Sequence, residues 1–241
     1  MPQGRARFDT TQWSLVLAAA GPGGSAAQRG LAALCEAYWY PLYAYVRRQG
    51  YGSDEAQDLT QAFFARLLDK QYVRDARRDR GRFRSFLLAS MQHFLQNTRA
   101  YDRADKRGGG VSPLPLAFDD AEHRYTREPA DTQTPETVFD RRWALTVLDR
   151  VLARLRREAV AAGKRREFDQ MKHCLTGEAG DMGYRKIGAA IGMSEGAVKV
   201  AVHRLRRRYR TFLRQEISST LHTGTDVDDE IRHLFRALSV S

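Results

Sequence analysis

The chain has 241 residues, 42% of them hydrophobic, which is enough to build one large or two small domains with buried cores. Its formal net charge of +11 favours a polyanionic partner, namely nucleic acid, an anionic membrane or an acidic protein. Its two cysteines lack the spacing of a disulfide scaffold or a zinc site, and neither a signal peptide nor an apolar run of membrane-spanning length is found, so we expect a cytoplasmic protein without metal, cofactor or membrane contact.

Helical spacing runs through nearly the whole sequence, and no segment alternates as a half-buried strand would, so the predicted fold class is all-α. Residues 1–24 form an N-terminal extension with an apolar stretch around Trp13. Ser25 then opens a helix in which Pro41 predicts a kink, because proline removes a backbone hydrogen bond and clashes with the preceding turn.

The next helix is predicted from its N-terminal cap. Ser53 supplies the capping oxygen, and Asp54 and Glu55 follow where the helix dipole favours negative charge. A basic stretch then leads to a long helix beginning near Arg82, which changes from apolar to polar and basic along its length. We assign these elements to a first small domain, residues 25–110, which ends in three glycines.

A change in composition marks the main boundary of the chain. Residues 111–135 carry four prolines, many acids and no helical period, which is typical of a flexible linker between domains. A second small helical domain follows over residues 136–215, with Pro135 in the first turn of its first helix. Residues 216–241 form a C-terminal extension that ends in an amphipathic helix.

A helix-turn-helix is the most specific pattern in the sequence. It needs a small residue where the helices cross, a glycine in a left-handed turn and a capped second helix. Residues 184–210 supply these as Gly188, Gly192 and Ser194. The apolar residues predicted to face inward are Ile187, Ile191, Met193, Val198, Ala201 or Val202, Leu205, Tyr209 and Phe212.

The second helix of this motif has a basic outward face, since residues 184–215 hold nine Lys or Arg against one acid, Glu195. In such motifs the first residues of the second helix reach base edges, so Glu195 is a candidate acceptor from cytosine and Lys199 a candidate donor to guanine. A helical hairpin with a solvated basic face is the alternative. The candidate DNA-binding residues, of which the arginines are assigned mainly to phosphates, are Ser194, Glu195, Gly196, Lys199, Val200, His203, Arg204, Arg207 and Arg208, and Arg206 is also placed outward.

Three stretches in this order resemble the sigma-70 family of RNA polymerase sigma factors. Residues 54–64, DEAQDLTQAFF, resemble the region 2 helix that binds the polymerase clamp coiled coil. Residues 83–97, with the basic cluster after them, resemble the helix that contacts the minus-ten promoter element, and residues 184–210 resemble region 4, which reads the minus-thirty-five element. The layout, without regions 1.1 and 3, is similar to the extracytoplasmic-function (ECF) type with an extension at each end.

This resemblance implies an ECF-type sigma factor that binds the clamp coiled coil and flap of core RNA polymerase, recognises promoter DNA and helps to open it. It assigns polymerase contact to Asp54, Glu55, Asp58, Leu59, Gln61 and Phe63. It assigns capture of the opened strand, by stacking, edge hydrogen bonds and phosphate contacts, to Arg74, Arg77, Arg78, Arg80, His93, Asn97, Arg99, Arg103, Lys106 and Arg107. Each of these roles has an alternative. The acids at the start of the helix are explained equally well by stabilisation of the helix dipole, and His93 by a solvated polar face.

Departures from the family pattern point to regulation. The clamp helix of the family reads Ala-Glu-Asp, but this chain has Gln57 and so one carboxylate fewer. A phosphate on Thr60 nearby would add about −1.5 to −2 charge, which makes a protein kinase a candidate regulator beside an anti-sigma factor. The C-terminal helix either packs on the chain's own domains or holds them together until polymerase arrives.

Two other functions are compatible with parts of the sequence to different degrees. A stand-alone helix-turn-helix repressor or activator would use the first domain for dimerisation or effector binding. An enzyme is disfavoured, because the six histidines are scattered and the triple glycine at residues 108–110 is not followed by the Lys-Ser/Thr of a phosphate loop. We therefore expect no small-molecule substrate.

Overall fold

The structure is a computed structural model that describes residues 25–68, 82–102, 122, 125, 133–175, 181–221 and 226–239. Helices make up nearly all of these residues, and the β contact found among them is an isolated bridge between Arg82 and Leu221. The described chain is therefore all-α, as the helical spacing predicts. Its helices are α1 (Ser25–Arg48), α2 (Ser53–Leu68), α3 (Phe83–Asp102), α4 (Pro135–Ala161), α5 (Arg165–Met171), α6 (Asp181–Ile191), α7 (Glu195–Ser218) and α8 (Val227–Ser239), with a 3-10 turn at Lys172–Leu175.

The described residues separate into two compact units. Unit 1 takes the residues up to Thr146 together with those from Ile217 onward, and unit 2 takes Val147 to Glu216. This division differs from the predicted domains, because the first three turns of α4 and the C-terminal extension belong with unit 1. In the described ranges, no helix is long and apolar enough to cross a membrane.

An aromatic core holds unit 1 together. Tyr38 on α1 is buried and its ring meets Phe83 of α3 edge to face at 5.2 Å. Trp143 on α4 is also buried, and its Nε1 donates to the Tyr38 hydroxyl at 3.1 Å. This hydrogen bond satisfies the one polar group of the indole. The contact explains why the start of α4 is part of unit 1.

The C-terminal helix α8 packs on unit 1 through charge as well as apolar surface. Leu234 and Ala237 are buried, and so is Glu230, whose Oε1 accepts from Arg84 Nε of α3 at 2.7 Å. Arg82 Nε lies 2.7 Å from the other oxygen of Glu230. The C-terminal helix therefore packs on the chain's own helices, which is one of the two alternatives that the sequence leaves open.

Two residues of the predicted linker lie within the described part of the chain. Glu122 accepts from the Tyr43 hydroxyl at 2.6 Å and pairs with Arg47 at 2.9 Å, both on α1. The Arg47 guanidinium also lies over the Tyr125 ring, 4.9 Å from its centroid. At these two positions the chain contacts α1, whereas the composition predicts a free tether; the remaining residues of 111–132 lie outside the described ranges.

Unit 2 is built around the helix-turn-helix. Its small core contains Met171, Cys174, Val198 and Val202, with partly buried residues of α6 and α7 around them. Burial raises the pKa of the Cys174 thiol, which is free of any disulfide. On α7, Phe212 is buried and two guanidiniums lie over its ring, Arg154 at 3.8 Å and Arg208 at 4.4 Å from the centroid.

Candidate nucleic-acid interface

The turn between α6 and α7 has the geometry that the sequence predicts. Gly192 adopts a φ of +73°, the left-handed conformation in which glycine is favoured. A Cβ on Gly188 would lie 2.4 Å from the carbonyl oxygen of Met193, so the two backbones meet where only a hydrogen fits. The Met193 amide donates to the Gly188 carbonyl oxygen at 2.9 Å, which closes the turn.

Ser194 caps the second helix, as predicted. Its Oγ accepts from the Ala197 amide at 3.3 Å, and its carbonyl oxygen accepts from Val198 at 3.0 Å. Val198 and Val202 are buried, and Ala201 is partly buried against the same core, so both alternatives of the prediction contact it and Val202 is the more deeply buried. Ile187 and Ile191 are only partly buried, because unit 2 is small and its core is shallow.

The first two turns of α7 present polar and apolar groups side by side on the outside. Lys199 Nζ lies 2.9 Å from Glu195 Oε1 and 5.8 Å from the centroid of the Tyr184 ring. Arg185 Nε of α6 lies 3.6 Å from the other oxygen of Glu195. Val200 is 51% exposed and His203 is also exposed. The predicted base-reading residues therefore share one outer surface.

The arginines further along α7 differ in exposure and in the partners of their guanidinium groups. Arg204 and Arg207 are exposed, in keeping with a phosphate contact. Arg208 is exposed as well, but it makes two hydrogen bonds to Glu158, at 3.0 and 2.7 Å, and these bonds lower the pKa of that carboxyl group. Arg206 does not lie on the outer face as predicted: it is partly buried and its Nε donates to the Cys174 carbonyl oxygen at 2.9 Å.

The strand-capture residues predicted in the first half are only partly described. His93 and Asn97 are exposed one turn apart on α3, so they lie on a common outer face. Nothing is described of the Arg99 side chain. The basic residues that lie outside the described ranges are Arg74, Arg77, Arg78, Arg80, Arg103, Lys106 and Arg107.

The predicted polymerase-binding helix α2 keeps most of its candidate surface. Asp54, Glu55 and Asp58 are exposed, and Leu59 and Gln61 are partly exposed. The prediction that Phe63 contacts polymerase is wrong. Its side chain is 1% exposed, and its ring packs against that of Phe64 with 5.6 Å between the centroids. It belongs to the core of unit 1 and offers no surface to a partner.

The prediction that Thr60 is a phosphorylation site is also wrong. The residue is fully buried, and its hydroxyl donates to the Ala56 carbonyl oxygen at 2.7 Å. A kinase requires an exposed hydroxyl, and a buried phosphate would carry a large desolvation cost. Thr60 is a core residue of α2.

Two residues of the outer surface were not among the candidates. Arg185 and Tyr184 both precede the turn, and both contact the residues at the start of α7. The signal was available, because the first helix of a helix-turn-helix crosses the nucleic-acid backbone and its exposed cations lie close to phosphates.

No group of three or more His, Cys, Asp or Glu side chains that could hold a metal ion occurs within the described ranges. No protein-family model, no curated protein and no solved structure matches the chain.

Proposed function

We propose that the chain is an ECF-type sigma factor, which binds core RNA polymerase in the cytoplasm, recognises promoter DNA and helps to open it. The observation that carries the proposal is the helix-turn-helix of unit 2. Its turn is closed by Gly188 and Gly192, the inner face of α7 packs on the core, and the outer face of α7 carries Lys199, Arg204 and Arg207.

The start of α7 suits the major groove, into which a helix of this kind inserts its N-terminal residues. Glu195, Lys199 and His203 recur at intervals of four residues, which keeps them on one side of the helix. Arg204 and Arg207 lie nearer the C-terminal end, where phosphates flank the groove. We assign base reading to the first group and phosphate contact to the second, in the minus-thirty-five element.

Polymerase binding is assigned to two surfaces. The exposed acids Asp54, Glu55 and Asp58 of α2, with Leu59 beside them, would meet the clamp coiled coil. In unit 2 a groove of about 420 Å³ is lined by apolar residues, among them Leu155 and Phe168, and by the charged residues Glu158, Lys164, Glu167, Arg204 and Arg208. Such a groove accepts the apolar face of a partner helix, and we assign it to the flap.

Promoter opening requires that unstacked bases be held away from the duplex. His93 and Asn97, exposed on the same face of α3, supply an aromatic ring and an amide for a base, and the resemblance adds the basic residues before and after this helix for the backbone. The polymerase carries the chemistry, so the chain itself needs no catalytic group.

The decisive experiment measures retention of the full chain on core RNA polymerase, and initiation from promoter DNA in the absence of any other sigma factor. Asp54→Lys should weaken retention several-fold. Asp228→Lys is its matched control, because both acids occupy the first turn of a helix and both changes remove the same dipole interaction.

Equal retention of the two variants would remove α2 from the polymerase contact. A chain that binds DNA specifically but is not retained by polymerase would instead be a stand-alone helix-turn-helix regulator. Retention together with promoter-directed initiation supports the sigma assignment.

A further inference from the structure

The first two turns of α7 form a patch with an unusual composition. Glu195, Gly196, Lys199 and Val200 occupy positions i, i+1, i+4 and i+5, which places them on adjoining faces of one helix. We call these four residues the α7 patch. It combines an acid, a cation, an apolar side chain and a glycine. The contacts within unit 2 explain only some of these residue types.

Gly196 is not explained by the fold of unit 2. Its φ is not positive, and a Cβ added to it would meet no atom within 4 Å. Glycine weakens a helix, and here neither backbone conformation nor packing requires it. Because glycine has no side chain, another molecule can come close to the helix backbone at this position. Gly196 therefore points to a partner backbone or base edge within van der Waals distance of α7.

Val200 is the second residue without a role in packing. It is 51% exposed, one of three large apolar side chains that reach this exposure in the described chain. Apolar side chains on a recognition helix contact the C5-methyl group of thymine. Val160, also 51% exposed, belongs to a different helix, α4, and serves as its comparison.

Glu195 and Lys199 form a preorganised donor–acceptor pair. Lys199 Nζ is 2.9 Å from Glu195 Oε1 and lies beside the Tyr184 ring, while Arg185 approaches the other carboxylate oxygen at 3.6 Å. A carboxylate at a surface that meets phosphates is repelled unless it accepts a hydrogen bond there. Cytosine offers the N4 amine to such an acceptor, and guanine offers O6 and N7 to a donor.

We propose that the α7 patch reads a C·G base pair next to a thymine. Glu195 accepts from the cytosine N4 amine, Lys199 donates to guanine O6 and N7, Gly196 admits the base edges, and Val200 contacts the thymine methyl group. This inference rests on the DNA-binding part of the proposed function and adds to it the base preference of the site.

The test is selection of duplexes from a library with a randomised central segment. The full chain is used at low salt, alone and together with core RNA polymerase, because the free protein is expected to bind weakly. The enriched site should contain a C·G pair adjacent to a thymine. Glu195→Gln should lower the preference for that C·G pair about tenfold, within the range that one specific base contact provides.

Val200→Ala should lower the preference for thymine over deoxyuridine at the neighbouring position, since deoxyuridine lacks only the methyl group. Val160→Ala, its matched control, should leave the preference unchanged. An enriched site whose base preferences are the same in wild type, Glu195→Gln and Val200→Ala would overturn the inference and leave DNA binding intact. No enrichment of any sequence in either arm would overturn the DNA-binding function itself.

Discussion

Arg84 and Glu230 are 146 residues apart in the sequence, yet Arg84 Nε donates to Glu230 Oε1 at 2.7 Å in the interior of unit 1. The Glu230 side chain is 1% exposed and that of Arg84 is 8% exposed. Arg84 also pairs with Asp140 at 2.9 Å and lies over the Trp143 ring. One guanidinium thus joins α3, α4 and α8.

Glu230→Gln should destabilise unit 1 by about 1–3 kcal/mol, because the charge that Arg82 and Arg84 both contact is lost, while Asp140 still pairs with Arg84. Urea unfolding followed by tryptophan fluorescence measures this, since Trp39 and Trp143 both belong to unit 1. Asp229→Asn on the same helix should cost less than about 1 kcal/mol, because its pair with Arg232 is exposed. Equal costs would contradict the role of Glu230.

His233 makes unit 1 sensitive to mild acid. Its pKa is lowered, first by burial and then by repulsion from Arg84, although Asp140 at 3.0 Å and Glu230 act in the opposite direction. The unfolded chain takes up a proton on this histidine near pH 6.5, whereas the folded chain resists it. Stability present above that pH is therefore lost as the pH falls below it.

His233→Gln keeps a donor for Asp140 and removes the proton uptake. Its unfolding free energy should change less than that of the wild type between about pH 7 and pH 5.5, above the range in which ordinary carboxyl groups titrate. His93→Gln, an exposed histidine of the same unit, should follow the wild-type curve. A wild-type slope that survives in His233→Gln would assign the effect to another group.

Gly188→Ala and Gly196→Ala should have opposite effects on unit 2. The first places a Cβ 2.4 Å from the Met193 carbonyl oxygen, so the turn must shift away from α6 at a cost of about 1–3 kcal/mol. The second meets open space and should stabilise α7 by about 0.5–1 kcal/mol. Hydrogen exchange of the α6 and α7 amides measures both. Gly196→Ala should nevertheless reduce DNA binding, and a variant that gains stability and affinity together would argue against close approach at this residue.

Thr60→Glu should unfold or strongly destabilise unit 1, by about 3 kcal/mol or more, because it buries a charge without a partner. Gln57→Glu adds the same charge to a partly exposed position of α2 and should be tolerated. Tryptophan fluorescence distinguishes the two. A folded Thr60→Glu variant with altered polymerase affinity would restore phosphorylation as a mechanism.

Glu158→Gln should strengthen binding of the full chain to duplex DNA at low salt. The change weakens the two hydrogen bonds that hold Arg208, and the guanidinium becomes available to phosphate. Glu167→Gln removes the same charge from unit 2 and controls for the general electrostatic gain. Affinity that rises equally in both variants would mean that Arg208 does not reach the DNA.

The helix-turn-helix could be predicted in detail because its rules are local. Gly188, Gly192 and Ser194 lie within seven residues. Gly192 is favoured by its positive φ, Gly188 by the approach of the Met193 carbonyl oxygen, and Ser194 by the hydrogen bond it accepts at the start of α7. The outward-facing positions of α7 follow from helical spacing once its inner face is known. Tyr184 and Arg185 do not follow from the spacing of the second helix, because they belong to the first helix and reach this surface only through contacts across the turn.

Two features of unit 1 were not predicted, and only one of them depends on contacts between distant segments. Residues 56, 60, 63, 64 and 67 are buried on one stripe of α2, so the position of Thr60 in that stripe was visible in the spacing. Its polar side chain suggested a surface residue, but the hydroxyl donates to the backbone one turn earlier. The Arg84–Glu230 pair had no local signature, since each residue alone reads as helix surface.

The placement of α8 in unit 1 also matters during synthesis. The N-terminal part of the chain leaves the ribosome first, so Arg84 emerges long before Glu230 is translated. Until then the Arg84 guanidinium and the groups around Trp143 lack the acid and the apolar side chains of α8. Unit 1, although it holds the first helices of the chain, therefore completes its folding after the helix-turn-helix has left the ribosome, and a nascent chain stalled before Glu230 should expose this region to proteases.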